Sequence, residues 1–256
     1  MRPLMFFIYC MAFLLTDTVL AIPDSLRFAT TFSSVARQLN SISLGNCSLK
    51  NIYLPLNDTK KRLPTPSPGL NLKFIALGRG AQNYTCTSSN ALREHSEEDK
   101  PVAVGAVATL FDASCIASTS LNLLHELPAV IGRAPLGPVA LITEFLGEIT
   151  NSPSLILGEH YFNAAGEPTF NLTMGGLDAW IISKKNAAVT APARVARNAC
   201  PEKGRDVAWL KLDKKQGEDV KEVYRVVTFQ GSAPSTCAGQ KERFQVDYAA
   251  EYWFYG

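Results

Sequence analysis

The sequence predicts a mainly β protein, an antiparallel β-sandwich or partly closed barrel with one or two short helices in an insertion. Three observations carry that expectation. Residues 244–256, FQVDYAAEYWFYG, alternate with period two: Phe244, Val246, Tyr248, Ala250, Tyr252 and Phe254 share one face of a strand, and Gln245, Asp247 and Glu251 share the other. Residues 101–111, PVAVGAVATLF, and 222–229, EVYRVVTF, are short apolar runs rich in β-branched residues and bounded by turn formers. The strands are too short and too turn-rich for parallel βαβ units.

Taken in order, the chain begins with Arg2 as the lone charge before an apolar run over residues 4–15, followed by Val19-Leu20-Ala21. This pattern reads as a secretory signal peptide over residues 1–21, and the run is too short for a comfortable membrane span. Asp17, beside the apolar run, argues against a retained anchor. Residues 22–69 read as an N-terminal lead and Pro-rich connector, and 70–256 as a single β-rich domain with a helical insertion at about 112–157. The formal charge of +2 is unchanged by removal of the leader, which carries one Arg and one Asp. So near-neutral a chain is not expected to bind nucleic acid, and no membrane association is expected after cleavage.

In the lead, Leu26, Phe28, Phe32, Val35 and Leu39 have roughly helical spacing. Lys60-Lys61-Arg62 reads as a solvated turn rather than a processing site. Residues 63–69, LPTPSPG, hold three prolines and must be extended. Residues 72–86, LKFIALGRGAQNYTC, read as a buried strand that breaks at Gly78-Arg79-Gly80 and delivers Arg79, Gln82, Asn83 and Tyr84 to a rim or loop. That rim is the first place to look for a ligand. Residues 87–100 read as a solvated loop, with His95 incidental.

Residues 101–111 read as a central strand buried on both sides. In 112–157, Leu121, Leu124 and Leu127 suit one helix and residues 139–149 another, with His125 on a packing face. Residues 157–172 read as a hairpin turning at 163–166, followed by strands over 180–192, 206–213 and 222–229.

Five cysteines follow the leader: Cys47, Cys86, Cys115, Cys200 and Cys237. In an oxidising compartment they are expected to form disulfides, with one left over. No Cys-x-x-Cys spacing supports zinc or thiol redox chemistry, and no metal site is expected. Asn46, Asn57, Asn83 and Asn171 each open an Asn-x-Ser/Thr sequon, so surface glycosylation is expected.

Six ordered blocks carry a family likeness: GRGAQNYTC at 78–86, VAVGAVATLFDAS at 102–114, LGEHYF at 157–162, VAWLKL at 207–212, VYRVVTFQGSAPSTCAG at 223–239 and VDYAAEYWFYG at 246–256. Over residues 47–256 the chain resembles a family of fungal secreted proteins of unknown function, often labelled malate-dehydrogenase-like. The resemblance implies that Cys47, Cys86, Cys115 and Cys237 are family cysteines and Cys200 the free thiol. Four cysteines allow three pairings; the pairing adopted is Cys86–Cys237 with Cys47–Cys115.

The dehydrogenase label fails on physical grounds. A dinucleotide site needs Gly-x-Gly-x-x-Gly between strand and helix, whereas Asn83 occupies the third glycine position and residues 82–86 are no helix start. No cofactor is expected. Neither Gly-x-Ser-x-Gly nor His-Glu-x-x-His occurs, so no catalytic residue is assigned. His160 lies on a strand with Glu159 and Tyr161 facing the opposite way; it reads as a structural histidine near the rim or as a ligand contact. Arg225, a charge in an apolar strand, calls for a carboxylate such as Asp247 or Glu251. The functional expectation is a non-enzymatic extracellular or cell-wall glycoprotein binding a ligand, carbohydrate or another wall component, through Arg79, Gln82, Tyr84 and His160. The alternatives are an extracellular hydrolase pairing Glu159 with Glu251 or Asp247, and a structural wall or spore-coat component.

Overall fold

The computed structural model describes residues 47–56, 61–86, 99–149, 155–192 and 206–256. The proposed leader, the lead helix, Asn46, Asn57, His95 and Cys200 lie outside these residues. Eight strands follow one another around a closed antiparallel barrel: β1 (Leu72–Thr85), β2 (Val102–Asp112), β3 (Ile156–Phe162), β4 (Pro168–Asn171), β5 (Trp180–Val189), β6 (Trp209–Glu218), β7 (Glu222–Gln230) and β8 (Arg243–Tyr255). β8 pairs with β1 along nearly its whole length, which closes the sheet and removes its edges. Three helices interrupt the meander between β2 and β3: α1 (Ser114–Thr119), α2 (Leu121–Ile131) and α3 (Leu136–Ile149). The expected sandwich-or-barrel is therefore a complete barrel, with one helix more than the insertion was expected to hold.

Strand alternation builds two cores. Even positions of β8 point inward with Ala76, Leu110, Phe170 and Ile181 to fill the barrel. Odd positions of β8 point outward, where Trp253 and Tyr255 meet Leu123, Leu124, Leu127 and Val130 of α2. Those leucines recur at helical spacing, and Ser120 caps the helix by accepting from the Leu123 amide at 3.2 Å. α2 lies against β1, β7 and β8. The odd face of β8 is therefore exposed at Gln245 and Asp247 but covered at Ala249 and Glu251, ahead of Trp253. Glu251 is fully buried, 2.8 Å from His125 Nδ1, and accepts from Trp253 Nε1 at 3.0 Å. Alternation reports which residues share a face but not what covers it.

Two further expectations are corrected. β1 does not break at Gly78-Arg79-Gly80; it runs on through both glycines to Thr85. The glycines serve close approach instead. A Cβ on Gly78 would lie 2.5 Å from the Tyr252 ring, and one on Gly80 would lie 1.9 Å from the Val107 carbonyl oxygen. β2 is not buried on both sides, because Val102, Val104 and Val107 are exposed on its outer side.

The Pro-rich connector docks on the outside of β6 and β7. Leu63 is buried, Tyr224 Oη donates to Pro64 O at 3.0 Å, and Lys211 Nζ donates to Thr65 O at 3.1 Å. Ser67 donates through both its amide and its hydroxyl to Glu222, which pairs with Lys211 at 3.0 Å. Disulfides join Cys47 to Cys115 in α1 and Cys86, just past β1, to Cys237 in the β7–β8 connection.

Candidate functional site

An eight-stranded barrel leaves an interior just wide enough for side chains or one small ligand. Here side chains fill the helix-side half, and a cavity of about 480 Å³ opens at the end bearing the β3–β4 turn. Strand parity supplies its wall. Gln82 of β1, His160 of β3, Phe170 of β4, Ser183 of β5, Leu212 of β6, Arg225 of β7 and Tyr252 of β8 all face it. The register fixes this alignment, since His160 opposes Phe170 and Arg225 opposes Tyr252. The walls are largely aromatic and aliphatic, and a few polar groups converge on them, as in ordinary small-molecule pockets.

Each polar group has a distinct state. His160 Nδ1 is 2.9 Å from Thr169 O, so the ring donates there and its Nε2 is left as an acceptor. The ring stacks on Phe170 at 4.2 Å between centroids. Burial, reinforced by the nearby Arg225 charge and opposed by the Thr169 bond, holds the imidazole down to a pKa of about 4 and therefore neutral. Ser183 Oγ donates to Pro168 O at 2.9 Å. The hydroxyls of Tyr248 and Tyr252 bond each other at 2.8 Å, and burial raises both phenols.

Gln82 is the exception to this satisfaction. It is only 7% exposed, yet its Nε2 has no acceptor in hydrogen-bonding geometry among the described residues, although the Tyr248 hydroxyl is close by. A buried amide without a partner costs roughly 1–3 kcal/mol. Arg225 is 8% exposed, and its Nε and Nη2 both donate to Ala208 O, at 3.3 and 2.9 Å. The carboxylates expected to balance it are engaged elsewhere: Asp247 with Arg79 at 2.7 Å and Glu251 with His125. At the mouth stand Lys184, Lys185 and Lys215, the last paired with Glu167, which also accepts from Asn163.

Of the four expected ligand residues, the structure brings Gln82 and His160 together in this cavity. Arg79 is not at a rim: it is 4% exposed on the outer face, where Nε donates to Ile131 O and Ala134 O at 3.2 and 3.1 Å at the end of α2. Tyr84 is buried near the open end, donating to Gly231 O at 2.7 Å and stacking on Phe244. It lines a separate groove with Asn83 and Arg243. Arg225 and Tyr252 were missed as cavity residues. Their signal is present in strand parity, since Arg225 shares a face with Val223, but the sequence also offers Asp247 and Glu251 as partners for the charge.

The hydrolase pair is not assembled. Glu159 is exposed on the outer face of β3, in register through Thr109 and Arg79 with Ala249. It is three strand spacings, about 14 Å, from β8, and Glu251 lies beneath α2. Among the described residues the cavity wall holds one carboxylate, Glu167. Among the described residues no cluster of three or more His, Cys, Asp or Glu is placed to hold a metal ion. Of the sequons, Asn83 is half-buried in β1 and accepts from Gln245 at 3.0 Å, and Asn171 ends β4, where its side chain accepts from the Thr173 amide and hydroxyl.

A family model described as a protein of unknown function, DUF3455, matches residues 66–256. No curated protein and no solved structure matches the chain.

Proposed function

We propose, for a chain that belongs to the DUF3455 family of unknown function, the role of a secreted glycoprotein that binds a small ligand inside the open end of its barrel and catalyses no reaction. The observation that carries this reading is the cavity of about 480 Å³ into which a nearly buried Gln82 presents an amide with no acceptor among the described residues. Buried amides without partners are rare in folded proteins, and a bound acceptor would satisfy this one. The wall favours holding over reacting: Ser183 and His160 Nδ1 donate to backbone carbonyls, and Glu167 is tied to Lys215 and Asn163. Two disulfides, and the absence of any membrane-length apolar helix among the described residues, are compatible with an extracellular setting. The fungal origin and secretion belong to the same reading and rest on the six sequence blocks and the leader pattern.

The test is thermal unfolding of the secreted protein with wall oligosaccharides and small aromatic and aliphatic organic compounds. A ligand that binds only the folded state adds about 2.7 kcal/mol of stability at a hundredfold excess over Kd. The expected result is a rise in Tm with one compound class, abolished by Ala103→Trp, which plugs the mouth from an exposed position on β2. A rise that survives Ala103→Trp would place binding elsewhere, and a flat response throughout would remove the binding role.

A further inference from the structure

We infer that the barrel cavity takes a small organic acid, its apolar body against the aromatic and aliphatic wall and its carboxylate on Arg225. This rests on the reading that the cavity is a ligand site, and it identifies the ligand by the charge that the cavity lacks.

Arg225 sits inside the barrel at 8% exposure, and no carboxylate forms an ion pair with it among the described residues. A guanidinium always carries its proton and cannot escape burial by titrating, as a lysine or histidine would. The groups it donates to among the described residues, Ala208 O and the neighbouring Tyr252 hydroxyl, are neutral, so no acid there balances its charge. The remaining wall repeats the sign. Among the described residues it bears Arg225, Lys184, Lys185 and Lys215 against the single carboxylate of Glu167, while His160 adds no charge. Gln82 Nε2 adds a buried donor without an acceptor in hydrogen-bonding geometry among the described residues, on the β1 side of the Tyr248–Tyr252 hydroxyl pair.

A planar carboxylate meets a guanidinium fork in two parallel bonds and carries the one charge needed to balance it. A phosphate or sulfate ester offers the same first contact but brings more oxygen to desolvate. The apolar part of the wall, with Phe162, Phe170, Leu210, Leu212 and Tyr252, offers such oxygens little. The lysines at the mouth would draw an acid inward before Arg225 engages it.

Titration calorimetry of the full secreted protein with matched acids and neutral isosteres tests the assignment: benzoate against benzamide, phenylacetate against phenylacetamide, and octanoate against octanol, with phenyl phosphate and inorganic phosphate as further arms. The expected result is at least tenfold tighter binding of the acids than of their neutral partners. Arg225→Gln should erase that preference while leaving the neutral compounds bound, and should raise Tm of the unliganded protein, because an unbalanced buried charge is gone. Neutral compounds binding as tightly as acids would overturn the inference and leave the binding role standing. So would an acid preference that survives Arg225→Gln. Phenyl phosphate binding more tightly than benzoate would overturn the choice of carboxylate, and no binding by any compound would overturn the inference and the site together. Should Arg225→Gln fail to fold, the wild-type acid-to-neutral ratio decides alone.

Discussion

Two arginines in apolar strands have opposite fates because they sit on opposite faces. Arg79 points outward from β1 and ends a helix, donating to Ile131 O at the end of α2, to Ala134 O just beyond it, and to Asp247. Arg225 points into the barrel and meets no acid there among the described residues. The sequence points to a rim for Arg79 and a carboxylate for Arg225, and neither is found among the described residues, because a charge in a strand announces a partner without saying on which face it lies. Removing Arg79 should therefore damage the fold and spare the cavity. Arg79→Met should lower unfolding stability by about 2–4 kcal/mol, with charged hydrogen bonds to backbone lost and carbonyls left bare. Urea denaturation would read this, with ligand affinity of the folded fraction unchanged. His160 supplies a pH dependence at the same scale. Its folded pKa of about 4 lies below the ordinary 6.5 because burial disfavours the imidazolium. The unfolded chain thus binds the proton more readily between those values, and stability is full above about pH 6.5 and lost as pH falls toward 4. The expected loss is about 3 kcal/mol. His160→Gln should flatten that part of a stability-against-pH curve.

At the scale of elements, what the sequence states well is periodicity and what it states poorly is cover. β7, β8 and the β3–β4 hairpin were legible because alternation and turn residues are local properties. The layer of α2 over β8 was not, since nothing in residues 244–256 records that a helix lies above Glu251. In the sequence, Gly78 and Gly80 suggest a break because glycine marks both turns and tight packing, and only the position of Tyr252 and Val107 decides between them. The Pro-rich segment is a similar case: extended as expected, yet fixed to the barrel by Glu222, Lys211 and Tyr224. Burial pushes the Glu222 carboxyl up, but Ser67 and Lys211 outweigh it and hold it below the usual carboxylate range. Glu222→Gln would leave Lys211 buried without its counter-charge. It should destabilise the protein by about 3 kcal/mol and free the connector, which limited trypsin digestion at the exposed Lys61 and Arg62 would report as faster cleavage.

For the molecule as a whole, closure joins the first and last strands of the barrel, β1 and β8, so the cavity depends on contacts far apart in sequence. The two disulfides divide the labour. Cys86–Cys237 spans 151 residues and fastens the end of β1, three residues beyond Tyr84's neighbour Asn83, to the connection that leads into β8. That is the open end of the barrel. Cys47–Cys115 spans 68 residues and holds the segment before the connector to α1, on the outer layer. Loop-closure entropy ranks them closely, at about 5 and 4 kcal/mol, so stability alone should barely separate them. Ligand binding should. Removing Cys86–Cys237 by paired serine substitutions frees the strand end that carries Gln82, and both Tm and affinity are expected to fall. Removing Cys47–Cys115 in the same way acts on the shell around α1, away from every cavity-lining residue, and Tm should fall with affinity unchanged. Equal loss of affinity in both variants would show that the cavity depends on the stability of the whole barrel rather than on the bond at its mouth.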